Sequence, residues 1–344
     1  MSKILVTGGT GYIGSHTVVE LQNAGYIPVI IDNLSNSNKG VLKQIEAITG
    51  IAPAFHEFDL CDEKQVTDFV RNNADITGVI HFAANKAVGE SVEEPLKYYR
   101  NNFFSLVNLL NAYKGTEVNF VFSSSCTVYG QPEQLPVTEN APVQKAESPY
   151  GNTKQVAEEI LIDTAKAFEN YKIISLRYFN PVGAHETALI GELPLGVPQN
   201  LVPFITQTAI GKREKVTVFG NDYNTPDGSA MRDYIHVVDL AKAHVAAIKR
   251  MEENKSENNY EVFNIGTGKG LSVLEIINAF EATTGVKLNY QIGPRRAGDV
   301  EKVWGDVSKS TNVLGWKAKL DVNEMMRSAW AWEVYLKDQA PFGK

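Results

Sequence analysis

Tyr150 and Lys154 stand four residues apart in the run Ser148-Pro149-Tyr150-Gly151-Asn152-Thr153-Lys154. Pro149 suits the first turn of a helix and Ser148 its cap, so this spacing sets both side chains on one helical face. A phenol titrates at about 10 in water, too high for a base at neutral pH, but an ammonium beside it favours the phenolate. Tyr150 is therefore a candidate to take a proton from an alcohol, with Lys154 as the charge that helps it. Ser125, in Ser123-Ser124-Ser125-Cys126-Thr127-Val128-Tyr129-Gly130, can hydrogen-bond the same alcohol, fixing it in place or passing the proton along.

The start of the chain carries a second kind of site. Strand-like Ile4 to Thr7 runs into Gly8-Gly9-Thr10-Gly11-Tyr12-Ile13-Gly14, and a helical stretch, Ser15 to Asn23, follows. Strand, glycines and helix in that order mark a dinucleotide site. Gly8 and Gly9 permit the tight turn, Gly11 lets backbone amides approach a pyrophosphate, and Gly14 lets the helix pack on the strand. Asp32 ends the second strand close to the distance of about 20 residues at which a carboxylate accepts from the adenosine ribose. A 2′-phosphate there would be repelled, and Asn33-Leu34-Ser35-Asn36-Ser37 supplies no Arg to offset that, so NAD is expected rather than NADP. A positive nicotinamide ring would be a second charge favouring the Tyr150 phenolate.

Elements that could hold these groups in place recur along the chain. Apolar runs at 4–7, 28–31, 54–58, 79–82, 120–123 and 173–178 alternate with helix-like segments, which predicts a doubly wound Rossmann α/β fold with a parallel sheet covered on both faces. Asp59, after the third strand, and Phe82-Ala83-Ala84, after the fourth, fall at the carboxyl edge where ligands sit. After Asn180 the texture changes: Gly183, Gly191, Pro194, Gly196 and Pro198 precede a helical segment beginning near Leu201. Residues 1–180 read as the NAD-binding domain, with a return near 236–266. Residues 181–344 read as a smaller, discontinuous mixed α/β substrate domain, with a helix over 273–284.

Composition narrows the functions. The net charge is −7 with no basic run, so a nucleic-acid groove lacks its electrostatic footprint. Met1-Ser2-Lys3 leads straight into a strand without a signal segment, and the longest apolar stretches, such as Tyr26 to Ile31, fall far below the roughly 20 residues of a membrane span. Cys61 and Cys126 form no disulfide framework, so a cytoplasmic setting is expected. The six histidines show no metal-ligand spacing, so no metal is expected.

With the glycine loop, Ser125 and the Tyr150/Lys154 pair in view, the chain resembles the extended short-chain dehydrogenase/reductase superfamily, and within it the UDP-glucose 4-epimerase family. The resemblance runs nearly full length and includes Lys86-Ala87-Val88-Gly89-Glu90-Ser91, Arg177-Tyr178-Phe179-Asn180-Pro181-Val182-Gly183-Ala184-His185, Asn200-Leu201, Phe219-Gly220-Asn221-Asp222-Tyr223, Arg232-Asp233-Tyr234-Ile235-His236 and Arg295-Arg296-Ala297-Gly298-Asp299. It implies NAD contacts from Gly8, Gly11, Tyr12, Ile13, Gly14, Asp32, Asn33, Leu34, Ser35, Asn36, Ser37, Asp59, Leu60, Phe82, Ala83, Ala84, Asn85, Lys86, Asn101, Ser123, Tyr150, Lys154 and Phe179. It implies contacts to a UDP-hexose from Ser125, Tyr150, Asn180, Asn200, Leu201, Arg232, Arg296, Asp299 and Val303. Two arginines suit a pyrophosphate, and Asp299 suits sugar or ribose hydroxyls.

The implied reaction is a transient oxidation at carbon 4, rotation of the 4-keto sugar and reduction from its other face. It would interconvert UDP-glucose and UDP-galactose, as in galactose metabolism. Related 4,6-dehydratases and decarboxylases place an acidic residue just after the active-site Ser/Thr; here stand Cys126 and Thr127, neither a strong acid or base. A non-catalytic NAD sensor is the reading from another class, and intact Ser125, Tyr150 and Lys154 argue against it. Bacterial relatives with strict hexose preference carry tyrosine where this chain has Val303, so N-acetylated UDP-hexoses are expected as further substrates. Leu96, Tyr99, Phe103, Leu106 and Leu110 at helical spacing within 95–112 predict mostly core packing. The resemblance adds a homodimer in which this helix and the one over 150–168 form a four-helix interface.

Overall fold

The structure, a computed structural model, describes residues 1–296 and 300–338. From the N-terminus strands and helices alternate: β1 (Lys3–Thr7), α1 (Tyr12–Asn23), β2 (Ile27–Asp32), α2 (Val41–Thr49), β3 (Ala54–Glu57), α3 (Glu63–Asn72) and β4 (Ile76–His81). Then come α4 (Val88–Glu93), α5 (Pro95–Ala112), β5 (Val118–Ser125), a 3-10 turn at Cys126–Tyr129, α6 (Pro149–Ala167) and β6 (Tyr171–Tyr178). The remainder is β7 (Asn180–Val182), α7 (Leu201–Ala209), β8 (Val216–Phe219), β9 (Met231–His236), α8 (Val237–Glu252), β10 (Tyr260–Ile265) and β11 (Gly270–Ser272). It ends with α9 (Val273–Thr284), β12 (Tyr290–Gly293), β13 (Lys302–Val303), α10 (Ser308–Asn312) and α11 (Val322–Asp338).

Seven parallel strands form the main sheet in the order β10-β6-β5-β4-β1-β2-β3. Successive side chains of a strand point to opposite faces, and here both faces are covered. Ile4, Val6, Ile30, Ile80 and Ile174 pack with Val18 and Val19 of α1 and Leu240 and Ile248 of α8. Leu5, Val29, Ile31, Val79 and Phe120 pack on the other face with Val66, Leu106 and Leu161 of α3, α5 and α6. That two-sided burial explains the continuous apolar runs, and it stabilises the sheet by about 1.5–3 kcal/mol per buried large side chain. The chain winds outward from β1 through β2 and β3, then crosses to β4 on β1's other side. The carboxyl ends of β1 and β4 therefore flank the topological switch point.

A second, smaller sheet has β9 between β11 and β13, with β7 also paired to β9, and β12 pairs with β8. Its core joins Val182, Val202, Ile205, Tyr234, Ile277, Phe280 and Met326. Helix α9 spans the segment its periodicity predicts, started by a reciprocal capping box between Ser272 and Glu275.

One expectation fails on α5. Leu106 and Leu110 are buried, but Leu96 is 81% exposed, and Tyr99 and Phe103 stack on each other along the partly open face at 5.7 Å. Helical spacing shows that apolar residues share a face, not that the face meets the chain's own core. No helix among the described residues is long and apolar enough to cross a membrane.

Candidate active site

At the switch point the backbone is packed to its limit. Gly8 adopts a left-handed φ of +69°, and a Cβ there would lie 2.8 Å from the Ala83 amide nitrogen beyond β4. A Cβ on Gly14 would come within 2.2 Å of the Gly8 carbonyl oxygen, so only glycine lets α1 start this close to β1. The helix opens at Tyr12 with Gly11 as its N-cap and no side-chain cap, which leaves the amides at its start available to an anion. Those features fit a dinucleotide pyrophosphate. Asp32 is set by its own loop, its carboxylate accepting from Leu34 N at 2.9 Å, Thr10 N at 3.2 Å and Ser37 Oγ at 3.2 Å. A carboxylate has about four acceptor positions, so capacity remains for ribose hydroxyls. Leu34 takes a left-handed φ of +57° beside it, Asn33 donates to Asp59 at 3.3 Å, and Ser35 and Asn36 are exposed. Ile13 and Phe82 pack against the main core and Leu60 is buried in it.

Tyr12 departs from a simple cofactor contact. Its hydroxyl donates to the Gly183 carbonyl at 2.6 Å, tying α1 to the second half of the chain, and burial pushes its pKa well up. Asn102, which the sequence reading passed over in favour of its neighbour Asn101, is the organiser of the loop after β4. It is buried, accepts from Asn85 N at 2.8 Å, and donates to Asn85 O at 3.1 Å and Thr153 Oγ1 at 3.0 Å. The signal for it is a polar residue on the buried stripe of α5, between Tyr98 and Leu106.

Ser125, Tyr150 and Lys154 converge at the carboxyl edge of β5. Pro149 begins α6 and the Ser148 hydroxyl accepts from Gly151 N at 3.1 Å, which fixes where Tyr150 leaves the helix. The Ser125 hydroxyl accepts from Thr127 N at 3.2 Å as it caps the 3-10 turn. Lys154 is buried; its Nζ donates to the Ser123 carbonyl at 2.7 Å and lies 4.8 Å from the Phe122 ring centroid and 5.9 Å from that of Tyr150.

Burial, partly countered by Glu158, lowers Lys154 to about 8. Burial also pushes Tyr150 up to about 12, with the Ser125 hydroxyl pulling the other way and Cys126 adding to the rise. The protein's own groups thus do not make this phenol acidic, contrary to the effect expected of Lys154. Desolvation outweighs the Ser125 hydrogen bond, so the phenolate needs a further positive charge, which a nicotinium ring would supply. His81, under the site, bonds Thr7 Oγ1 at 2.8 Å and is held neutral, pushed down to about 3 by burial and then by Lys154. The Cys126 thiol is pushed up to about 12, mainly by burial, and Thr127 offers only a hydroxyl, so neither supplies an acid for elimination.

In the small sheet Asn180, Arg232 and Val303 come together: Val303 pairs with Arg232, and Asn180 with Tyr234. Phe179 is buried where β6 leaves the main sheet, its amide donating to Ile265 O at 3.2 Å. Asn200 caps α7 ahead of Leu201, and its amide donates to Glu192 at 2.6 Å, while Lys86 reaches the same carboxylate at 3.6 Å. Arg296 lies over the Phe219 ring at 5.5 Å. Asp299 lies outside the described residues. No group of His, Cys, Asp and Glu among the described residues is arranged to hold a metal.

A family model described as GDP-mannose 4,6 dehydratase matches residues 5–329. A UDP-glucose 4-epimerase of Dictyostelium discoideum is 50% identical over 332 residues, 96% of this chain and 95% of that protein. The UDP-glucose 4-epimerase of Stenotrophomonas maltophila, crystallised with NAD and formylated UDP-arabinopyranose, superposes with a TM-score of 0.95 at 47% identity over 98% of this chain and 99% of that one. The Bifidobacterium longum enzyme, in complex with NAD+ and UDP, does so with a TM-score of 0.93 at 45% identity over 98% and 99% of the two chains. The dehydratase model matches the common framework, whereas identity near one half over nearly the whole length is to epimerases. The chain belongs to the NAD-dependent UDP-glucose 4-epimerase family.

Proposed function

We propose that Tyr150, with Ser125 and Lys154, moves the proton in the reversible interconversion of UDP-glucose and UDP-galactose that this family carries out with NAD. The observation that carries the reading is the convergence of Ser125, Tyr150 and Lys154 beside the glycine-lined turn at the switch point. Bound NAD supplies the reversible two-electron acceptor. Tyr150 takes the proton of the sugar's 4-hydroxyl, Ser125 holds that hydroxyl in line, and Lys154 fixes the phenol's surroundings through Ser123. The resulting 4-ketone turns over while Arg232 and Arg296 hold the diphosphate, and the same phenol returns the proton when carbon 4 is reduced from the other face. Binding energy spent on UDP, away from the reacting carbon, lets the hexose be held loosely enough to turn.

In this reading residues 1–180, with the return over 236–266, hold NAD, and the rest of the chain holds the UDP-sugar. Incubation of the purified protein with UDP-galactose and no added NAD should yield UDP-glucose. A folded preparation that converts nothing, even with NAD supplied, overturns the reading.

Val303 sits beside Arg232 and is smaller than a tyrosine, which supports epimerisation of UDP-N-acetylglucosamine and UDP-N-acetylgalactosamine as well. Absence of that conversion under conditions that turn over UDP-galactose sinks this extension. The open face of α5, with Leu96 81% and Phe104 50% exposed, supports a homodimer joined as a four-helix bundle with α6. A monomeric mass by light scattering contradicts it. The two unpaired cysteines suit a reducing cytoplasm.

A further inference from the structure

Asp233 follows Arg232 on β9, so their side chains leave opposite faces of the strand. Its carboxylate is wholly buried. Oδ1 accepts from Thr267 N at 2.8 Å and Thr267 Oγ1 at 2.6 Å; Oδ2 accepts from Gly268 N at 3.0 Å and Gly305 N at 3.5 Å. These four donors are neutral and belong to two segments remote in sequence, the turn after β10 and the stretch after β13. A buried carboxylate is costly: burial raises the pKa of Asp233, and the hydrogen bonds from Thr267, Gly268 and Gly305 work against that rise while fixing the group in place. Such a group adds less to stability than well-packed apolar side chains would, so what it contributes here is geometry.

That geometry bears on the substrate half of the site. Gly305 lies two residues past Val303, and a Cβ on it would come within 2.5 Å of the Phe179 ring. The stretch just after Val303 is thus packed against Phe179 and hydrogen-bonded to Asp233 on β9. Leu271, just beyond the turn that Asp233 holds, pairs with Arg232 from the opposite edge. Both neighbours of Arg232 in the small sheet are therefore anchored through one carboxylate.

We propose that Asp233 is a positioning residue for UDP-sugar binding, holding the Thr267–Gly268 turn and Gly305 so that Arg232 and Val303 keep their places. The inference rests on the reading of Arg232 and Val303 as substrate contacts. Asp233→Asn keeps size and the Oδ1 acceptor but turns an NH2 toward two N–H donors. It should raise the KM for UDP-glucose about tenfold with kcat changed less than about twofold and NAD still bound, since the glycine turn and Asp32 lie in the other sheet. Thr267→Val removes one donor and keeps the three backbone bonds, and should raise KM by about threefold.

Arg232→Ala serves as the reference. If it leaves KM unchanged, the substrate role of Arg232 is wrong and the inference goes with it. If Arg232→Ala raises KM while folded Asp233→Asn does not, or if Asp233→Asn loses NAD and kcat together, Asp233 is a general scaffold residue and the proposal is overturned. Should Asp233→Asn fail to fold, Thr267→Val decides, a raised KM at constant kcat supporting the proposal and an unchanged KM ending it.

Discussion

Where β1 meets α1 the cleft is made of backbone. Gly8 and Gly14 leave no space for a methyl group, and the groups that face an anion there are amides at a helix start. The proposed substrate side, on β7, β9 and β13, relies on side chains instead, Asn180, Arg232 and Val303, carried by strands of three, six and two residues. A backbone site is all or nothing, because any side chain enlarges it and the main chain must move. A side-chain site can be altered one group at a time while the strands stay paired. The cofactor half should therefore fail abruptly under substitution, and the substrate half should change affinity and preference by degrees.

The sharpest way to break that contrast is Gly14→Ala. Its Cβ would lie 2.2 Å from a carbonyl oxygen, so the turn must open, and the protein should purify without NAD and without measurable epimerase activity. A variant that keeps its NAD shows the turn to be more compliant than its packing implies. Next comes Tyr150→Phe, which removes the proposed proton carrier and leaves the glycine turn untouched. It should lower kcat by about 10²- to 10⁴-fold with NAD retained. An undiminished kcat would assign the proton transfer to another group.

A third effect is graded by pH. Lys154 is lowered by burial to about 8 from an ordinary value of about 10.5, so it loses its charge in the folded protein before it would in the unfolded chain. Raising the pH through that window relieves the cost of burying an ammonium, and this group makes the folded state more stable there, not less. Activity should go the other way, falling about tenfold per unit above pH of about 8 if the ammonium is needed beside Tyr150. A rate profile taken with a melting curve at each pH separates the two. Loss of rate that only tracks loss of fold would deny Lys154 its electrostatic part.

How much of this was legible in the sequence follows the same division. The main sheet declares itself because its central strands, covered on both faces, are largely apolar, whereas the edge strand β3 is mostly exposed, and α9 because its apolar residues recur at helical spacing. The glycine turn and the Tyr150/Lys154 helix were readable because local backbone conformation suffices to place them. The small sheet was not: β7, β11 and β13 have two or three residues each, too few for any period, and exist because β9 gives them a partner. Asn102 was missed because one polar residue in an apolar stripe looks like an interruption until its bonds to Asn85 and Thr153 are in place. Spacing places Lys154 near Tyr150 but says nothing of the burial that raises the phenol's pKa in the protein alone.

The smallest effect should come from the substrate wall, through Val303→Tyr. Val303 is 6% exposed, paired with Arg232 and clustered with Val128, Val137 and Phe179, so a tyrosine exceeds the space that cluster leaves and would crowd the room beside Arg232. The variant should keep NAD, keep most of its UDP-galactose turnover, and lose about tenfold in kcat/KM for UDP-N-acetylgalactosamine relative to UDP-galactose. Because both substrates meet the same Tyr150 and the same cofactor, their ratio isolates the room beside Arg232 from everything the backbone half contributes. An equal fall for both sugars would mean that Val303 only packs the sheet, and that the side-chain wall is less independent of the glycine-lined half than its construction implies.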